Sequence, residues 1–281
     1  MQVGVGLPNA VPGTSAATLM EWARRADEGP FTSVAVVDRV RYEGFDALTA
    51  LAAAAAVTAR VRLVTMVLIA PLRRAAVLAK EAATVHEVSG GRLVLGVGLG
   101  ARRDDFEQVG VPYGGRARRF GATLETLRAA WEGEAAGPPV TRPPGPALLV
   151  GGASDAAFAR AARYGDGYVH GGGPPRAFAR AAEKARAAWF DAQRPGEPRL
   201  WGQGYFALGD AVDRGRAYMR DYYAFTGSFA ERIAEQMLAT PQAIVSFVKG
   251  YADAGCDEVV LFPAAPDVAQ LDLLAAALDG L

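Results

Sequence analysis

The feature that most constrains the fold of this chain is a regular alternation of short apolar runs with longer, alanine-rich amphipathic segments. The apolar runs are continuous rather than interrupted by polar residues, which is typical of parallel strands buried on both faces. Strands joined by right-handed helical crossovers close into a barrel when eight of them follow one another. We therefore predict an α/β fold, a single (β/α)8 TIM barrel. A doubly wound open sheet is the alternative, but eight units in 281 residues favour the barrel.

The pattern also predicts where the elements lie. Strands are expected at residues 3–7, 33–37, 61–68, 92–97, 147–150, 167–170, 200–208 and 257–262. Helices are expected at residues 14–28, 46–59, 75–88, 116–131, 154–164, 175–192 and 268–278, with further helical segments up to about residue 250. Residues 137–146 are rich in Pro and Gly and predict a loop, because the same alternation resumes after them. We expect one domain over residues 1–281.

Composition excludes several classes of function. Lys plus Arg and Asp plus Glu each number 30, and this balance argues against a nucleic-acid-binding protein. Cys256 is the only cysteine, so neither an intrachain disulfide nor a zinc site made of several thiolates can form. With only two histidines, we expect no metal site. The longest apolar run, residues 50–57, is far shorter than the roughly 20 residues of a membrane span. Without a signal-peptide pattern at residues 1–7, we expect a cytoplasmic protein.

In a TIM barrel, the chemistry takes place at the carboxyl ends of the strands. Asp38 follows the second strand and lies at this mouth, where a carboxylate needs a partner that Arg39 or Arg41 could supply. A simple salt bridge at the mouth is an equally good interpretation. His170 ends the sixth strand and is a candidate site residue. His86 lies within a predicted helix, which favours a packing or surface role.

Three glycine-rich segments follow strands. Residues 96–101 spell G-x-G-x-x-A, but the segment lies in mid-chain and no acidic residue follows about 20 positions later, so a dinucleotide site is disfavoured. Small residues there would instead let a ligand or a neighbouring backbone approach closely. Residues 151–154 open a helix, and bare amides with a Ser hydroxyl suit a phosphate group, although an ordinary turn capped by Ser154 is equally consistent. The run 171–173 needs either turn geometry or close ligand approach.

Several segments along the chain carry a family resemblance. They are Gly4-x-Gly6-Leu7-Pro8, Asp38, residues 59–63, Pro71, residues 79–92, residues 95–98, residues 116–131, residues 149–152 and residues 165–168. Together they resemble the luciferase-like flavin-dependent oxidoreductases, which use FMN or the deazaflavin F420. The resemblance covers residues 2–265, and its most specific part is Ser-Gly-Gly-Arg leading into Leu-Gly-Val-Gly.

This resemblance implies a set of cofactor-binding residues. The cofactor phosphate would lie on the loop after the fifth strand, formed by Gly151, Gly152, Ala153 and Ser154. Arg116 would reach this phosphate, with Arg118 or Arg119 as alternatives. The ring would lie against a bulge after the third strand, where family members often have a non-prolyl cis peptide, here Met66–Val67. The backbone would pass close to the ring at Gly98, Leu99 and Gly100.

Two departures from the family pattern bear on mechanism. Many members carry a His after the acid of the second strand, where this chain has Arg39. F420-dependent sugar dehydrogenases place a Glu after the glycines of the fourth strand, where this chain has Ala101 followed by Arg102 and Arg103. These arginines suggest recognition of an anionic substrate or of the F420 tail, and solvated surface arginines are an equal alternative. Aromatic residues that could form either a lid or core are Trp201, Tyr205, Tyr218, Tyr222, Tyr223, Phe225 and Phe229.

The resemblance implies an F420-dependent oxidoreductase that passes a hydride to or from a small organic substrate. The first alternative is an FMN-dependent monooxygenase using reduced flavin and O2, with a flavin reductase as partner. The second is a non-catalytic flavin-binding barrel. An aldolase or isomerase would want a Lys or Glu at a strand end, and all three lysines fall in predicted helices. The candidate catalytic residues are Asp38, Arg39 and His170, and we expect a homodimer, a possible F420 or flavin reductase as partner, and no membrane or nucleic-acid partner.

Overall fold

A computed structural model describes residues 1–134 and 145–281. Parallel strands in these residues form a closed barrel in sequence order, each hydrogen-bonded to the next, and the last strand pairs with the first. The prediction of a (β/α)8 TIM barrel is therefore confirmed. The strands are β1 (Gln2–Gly6), β2 (Ser33–Val36), β3 (Arg62–Ile69), β4 (Leu93–Gly98), β5 (Ala147–Gly151), β6 (Gly167–Val169), β7 (Arg199–Phe206) and β8 (Glu258–Pro263).

Helices cover the outside of the barrel and connect the strands. They are α1 (Ala16–Glu28), α2 (Ala47–Ala55), α3 (Ala75–Val88), α4 (Arg103–Gln108), α5 (Arg116–Ala129), α6 (Asp155–Tyr164), α7 (Pro175–Asp191), α8 (Val212–Tyr222), α9 (Phe229–Glu235), α10 (Pro241–Asp253) and α11 (Ala269–Leu278). Among the described residues, none of the helices is long and apolar enough to cross a membrane. Residues 137–144 of the predicted Pro- and Gly-rich loop lie outside the described residues.

The largest error in a predicted boundary is at α2, which ends at Ala55 rather than at residue 59. The carboxylate of Asp27 in α1 accepts hydrogen bonds from the amides of Ala59, Arg60 and Val61 at 2.8–2.9 Å. These bonds hold the chain extended as it enters β3, so the helix cannot continue. This contact spans more than 30 residues of sequence, and local periodicity does not reveal it.

The strands are buried on both faces, which explains their continuous apolar sequence. On β2, Val34 and Val36 pack in the layer between strands and helices, whereas Ala35 and Val37 belong to the cluster inside the barrel. The interior of the barrel is therefore a packed core rather than a pore. Ligands can be bound only where this core ends.

A buried polar cluster closes the amino-terminal end of the barrel. Glu258 at the start of β8 is 1% exposed and accepts hydrogen bonds from the hydroxyls of Ser33 at 2.7 Å and Thr32 at 2.8 Å. Arg62 of β3 pairs with the same carboxylate. These hydrogen bonds and this ion pair join β2, β3 and β8, so this end of the barrel is structural, and the carboxyl ends of the strands remain for function.

Candidate active site

A cavity of about 430 Å³ opens at the carboxyl ends of the strands. It contains most of the residues that the sequence singled out as a site, namely Asp38, Arg39, Met66, Val67, Gly98, Leu99, Gly100, Arg116, Gly151 and Gly152. Ala153, Ser154 and His170 are not in its lining. It is completed by Val37, Ile69, Ala101, Arg102, Tyr113, Gln203, Tyr205, Tyr222 and Tyr223. Residues from five different strand ends thus meet in one place, as the barrel topology predicts.

Asp38 is almost fully buried and forms a bidentate ion pair with Arg73. The two Asp38 oxygens accept from the Arg73 guanidinium at 2.6 and 3.1 Å, and one of them also accepts the Ile69 amide at 2.7 Å. Burial alone would lower the pKa of Arg73, but the charges of Asp38 and Asp46 raise it overall. The prediction that Arg39 or Arg41 pairs with Asp38 is therefore wrong. The partner comes from the segment after β3 and clamps the loop end of β2 to the end of β3.

Arg39 is also held within the protein. Its side chain is 6% exposed, and its Nε donates to the fully buried carboxylate of Asp105 at 2.9 Å. Asp104 accepts from the same guanidinium at 3.1 Å. Asp105 further accepts the amides of Val40 at 2.9 Å and Arg41 at 2.8 Å. The charge of Arg39 is thus balanced by α4, so the expectation that it is solvated or free to recognise an anion is not met.

The bulge that the resemblance implied is present, but it lies within β3 rather than after it. The peptide bond between Met66 and Val67 is cis, as the family resemblance implied, and the β3–β4 register shifts between Thr65 and Leu68. A Cβ atom on Gly96 would lie 2.1 Å from the carbonyl oxygen of Thr65, and one on Gly98 would lie 2.6 Å from a methyl group of Val67. These two glycines are therefore required by the close approach of the bulge, and the dinucleotide-binding interpretation has no support in this barrel.

The loop after β5 leads into α6 as predicted. Ser154 is the N-cap residue of α6, but its hydroxyl makes no capping hydrogen bond. The hydroxyl and the first amides of the helix remain available to an anionic group, which favours such a position. The guanidinium of Arg116, at the start of α5, lies 3.6 Å from the ring centre of Tyr113. Its Nε donates to the Gly100 carbonyl at 3.3 Å, which places the arginine beside the fourth strand end.

Aromatic residues from β7 and from the segment after α8 form one wall of the cavity. Arg102 lies over the rings of Tyr222 and Phe225, 4.2 Å from each ring centre. The hydroxyl of Tyr223 donates to that of Tyr205 at 3.2 Å. Burial raises the pKa of both Tyr205 and Tyr223. These phenols therefore stay protonated near neutral pH and can donate hydrogen bonds.

Gln203 is a site residue that sequence reasoning did not single out. It lies on β7, is 7% exposed and lines the cavity. Its Nε2 donates to the carbonyl of Gly171 at 3.1 Å, and its Oε1 makes no hydrogen bond to a described residue. This amide oxygen is therefore free to accept a hydrogen bond from a bound molecule. In the sequence, Gln203 is a polar residue within an otherwise apolar strand. Because a buried amide needs hydrogen-bond partners, this position could have identified Gln203 as a candidate site residue.

His170 lies at the end of β6 but outside the cavity lining. Its Nδ1 is 3.5 Å from the hydroxyl of Tyr251, and its ring packs edge-on against Phe178. Burial lowers the pKa of His170 to about 4. The imidazole is therefore neutral at pH 7 and packs behind the glycine run that follows it, where positive φ angles at Gly172 and Gly173 account for two of the glycines.

This environment predicts a pH-dependent contribution to stability. The folded-state pKa of His170 is about 4, below the ordinary value of 6.5, so the unfolded chain binds the proton more readily. The free energy of unfolding should fall by about 2 kcal/mol between pH 7 and pH 5 through this group. Urea unfolding of the wild type and of His170→Gln at both pH values measures this decrease in the free energy of unfolding. The variant should lose less stability on acidification, and an equal loss in both proteins would contradict the assignment. His86 is present in both, so its contribution cancels.

Comparison with known proteins decides the family. Residues 1–255 match the family model of luciferase-like monooxygenases. The chain belongs to that family. The resemblance inferred from the sequence motifs is thus confirmed, and the barrel mouth described above is the mouth of a luciferase-like barrel. Among the described residues, no group of three or more His, Cys, Asp or Glu side chains could hold a metal ion.

The relatives of this luciferase-like chain include an uncharacterized protein and solved structures that share its fold. An uncharacterized protein of Mycobacterium tuberculosis is 40% identical over 136 residues, which are 44% of this chain and 47% of the relative. The chain thus spans about half the length of the curated relatives it matches. An F420-dependent secondary alcohol dehydrogenase has the same fold, with a TM-score of 0.81 at 17% identity over 99% of this chain and 98% of that one. The monooxygenase RslO1 from Streptomyces bottropensis gives 0.79 at 25% identity over the same shares.

Proposed function

We propose that this chain is an F420-dependent oxidoreductase that transfers a hydride to or from a small organic substrate. One observation carries the proposal. A single cavity brings together the loop after β5, Arg116 and the β3 bulge, which are three elements that the family resemblance assigns to the cofactor. The fold that this chain shares with an F420-dependent secondary alcohol dehydrogenase is consistent with it.

The residues of the cavity, together with Ser154 outside its lining, fit such a cofactor. The amides after β5, the free hydroxyl of Ser154 at the mouth of α6 and the Arg116 guanidinium suit its phosphate group. Met66, Val67 and Leu99 provide apolar surface for a planar ring. The unpartnered Oε1 of Gln203 can accept a hydrogen bond from a ring N–H group.

The bound deazaflavin would supply the hydride chemistry at its C5, and the protein would orient the reactants and exclude water. Tyr205 and Tyr223 remain protonated, and Tyr223 donates its proton to Tyr205, so the Tyr205 hydroxyl can donate to a substrate oxygen and polarise a carbonyl group. Asp38 and Arg39 are each neutralised by a protein partner. We therefore assign them positioning roles, in which they fix the loop after β2 beside the ring.

The second candidate is an FMN-dependent monooxygenase, favoured by the likeness to RslO1. Against it, Asp38 is the only carboxylate among the described lining residues, and no histidine lines the cavity. This leaves the paired Asp38 and the protonated tyrosines as the proton-transfer groups of the site. Donation to a ketone oxygen by a neutral phenol suits hydride transfer to a carbonyl substrate, whose oxygen takes up a proton, better than a reaction that needs a base.

A cofactor titration tests the proposal. Fluorescence of the ring, followed with F420 and with FMN in oxidised and reduced form, should show F420 binding at micromolar concentration or below and weaker binding of FMN. Arg116→Gln should weaken binding at least tenfold, because it removes a cation beside the phosphate loop. Arg118, which the sequence offered as an alternative, is exposed and lies outside the cavity lining, so Arg118→Gln is the matched control and should bind normally. Preference for reduced FMN would favour the monooxygenase, and binding of neither would overturn both.

A further inference from the structure

A second and larger cavity lies beside the candidate cofactor site. Its volume is about 830 Å³, within the range of pockets that enclose a small organic molecule. It is formed by the loop between β6 and α7, by β7 and by the helices α8, α9 and α10. The cofactor residues discussed above occupy the smaller cavity, so this space has no function yet.

Two tyrosines belong to both cavities. Tyr205 and Tyr223 line the smaller and the larger one, and their hydroxyls are joined at 3.2 Å. They therefore form a wall of side chains between the two spaces. A molecule in the larger cavity would lie directly beside a ring in the smaller one, with two protonated phenols at the point of contact.

The interior of the larger cavity is mainly apolar. Met219, Ile233, Met237, Leu238 and Phe247 all contribute to its surface. Aliphatic, thioether and aromatic groups of this kind favour an apolar body over a sugar or a nucleotide, because they offer few hydrogen bonds. Methionine side chains also adapt readily to ligands of different shape.

The charged residues that line the larger cavity are both positive. Arg176 at the start of α7 and Arg232 of α9 both contribute to the lining, and no Asp or Glu does so among the described residues. Neither side chain makes a hydrogen bond or an ion pair with any residue that the structure describes. Arg39 and Arg73, by contrast, are both bound to carboxylates. Two unbalanced guanidinium groups beside an apolar space are complementary to an anionic group on an apolar molecule.

We propose that this cavity binds the organic substrate, and that the substrate is an apolar molecule carrying a carboxylate or a similar anionic group. Arg176 and Arg232 would bind the anion, the apolar lining would bind the body, and the Tyr205–Tyr223 wall would face the reacting atom. The assignment of the bound molecule as a substrate rests on the proposed function. The preference of the cavity for an anion is independent of the proposed function.

Two fluorescent probes test the preference without the reaction. The anion 8-anilinonaphthalene-1-sulfonate and the neutral N-phenyl-1-naphthylamine share the same ring system and differ in the sulfonate group. Titration of the folded protein should give one site for each, with the anion bound at least tenfold more tightly at low salt. Sodium chloride should weaken the binding of the anionic probe only, because salt screens the attraction between its sulfonate and the arginines.

Substitutions in the lining of the larger cavity test whether the two probes bind there. The double variant Arg176→Gln/Arg232→Gln should bind the anion at least tenfold more weakly and the neutral probe within twofold of wild type. Arg180→Gln, an exposed arginine one turn further along α7 and outside the lining, is the matched control and should change neither. Ser246→Trp, at an exposed lining position on α10, should weaken both probes by filling the space. Equal loss of both probes in the double variant, or unchanged binding in Ser246→Trp, would overturn the proposal.

The two proposals fail in different ways. Saturating F420 or FMN should leave the anionic probe bound, and its displacement would mean that the probe occupies the smaller cavity, which overturns the inference. The double arginine variant should bind the cofactor as the wild type does. If the protein binds neither cofactor yet keeps the arginine-dependent preference for the anionic probe, the proposed function fails and the anion preference stands.

Discussion

Replacing Asp105 by alanine is expected to lower the free energy of unfolding by about 3–5 kcal/mol, since it leaves a buried charge without its partner. Asp105 is fully buried and accepts from the Arg39 side chain and from the amides of Val40 and Arg41. These bonds hold the loop after β2 in place. The variant should therefore also bind the cofactor at least tenfold more weakly. Urea unfolding and cofactor titration measure the two effects.

Asp104 provides the control for this experiment. It contacts the same guanidinium at 3.1 Å, but its side chain is 38% exposed and Arg39 keeps its pairing with Asp105 when it is removed. Asp104→Ala should cost about 1 kcal/mol or less. If the two alanine variants prove equally stable, the buried pair does not hold the loop, and the positioning role assigned to Arg39 is wrong.

Gly96→Ala is expected to cost about 3 kcal/mol and to weaken cofactor binding at least tenfold. The added methyl group would lie 2.1 Å from the Thr65 carbonyl oxygen, and the hydroxyl of Thr65 already donates to the Gly96 carbonyl at 2.7 Å. The Thr65 carbonyl belongs to the backbone and cannot rotate away as a flexible side chain can. The strand itself must therefore shift to relieve the clash. Because Thr65 precedes the Met66–Val67 bulge, the shift would move the surface on which we place the ring.

Gly121→Ala is the matched control for Gly96→Ala, at a position where there is room for a methyl group. Gly121 lies inside α5, and a Cβ atom built there meets nothing within 4 Å. Alanine should raise the free energy of unfolding by up to about 1 kcal/mol, because glycine is the poorer helix former. Cofactor binding should not change. A Gly96→Ala protein as stable as Gly121→Ala would show that β4 tolerates side chains facing the bulge, contrary to the packing described here.

The architecture was predictable because it depends on local patterns. Continuous apolar runs and helical periodicity identify the parallel strands of a barrel without any knowledge of contacts between them. The same topology brings strand ends together, so Asp38, Gly98 and Gly151 could be assigned to one site although the first and last of them lie 113 residues apart. The family resemblance added the position of the cis bond at Met66–Val67.

Pairing between side chains was not predictable in this way. Asp38 pairs with Arg73, which is 35 residues away, and Arg39 pairs with Asp105, which is 66 residues away. In both cases the sequence offered nearer partners, and only the packed strand ends and α4 exclude them. His170 illustrates the same limit, because its place after β6 suited a catalytic role whereas its ring packs away from the cavity. A strand end specifies position along the barrel axis but not the direction of a side chain.

The wall shared by Tyr205 and Tyr223 has a consequence for how such proteins diversify. The smaller cavity draws mainly on the ends of β2 to β5 and is completed by β7 and by Tyr222 and Tyr223, whereas much of the larger one comes from the continuous segment that contains α8, α9 and α10. Replacing that segment while keeping Tyr222 and Tyr223 would exchange most of the larger cavity and leave the lining residues of the smaller one unchanged. Recombination of a single stretch of gene would thus give the same smaller cavity a new neighbouring cavity, and directed evolution of ligand preference in this chain should begin there.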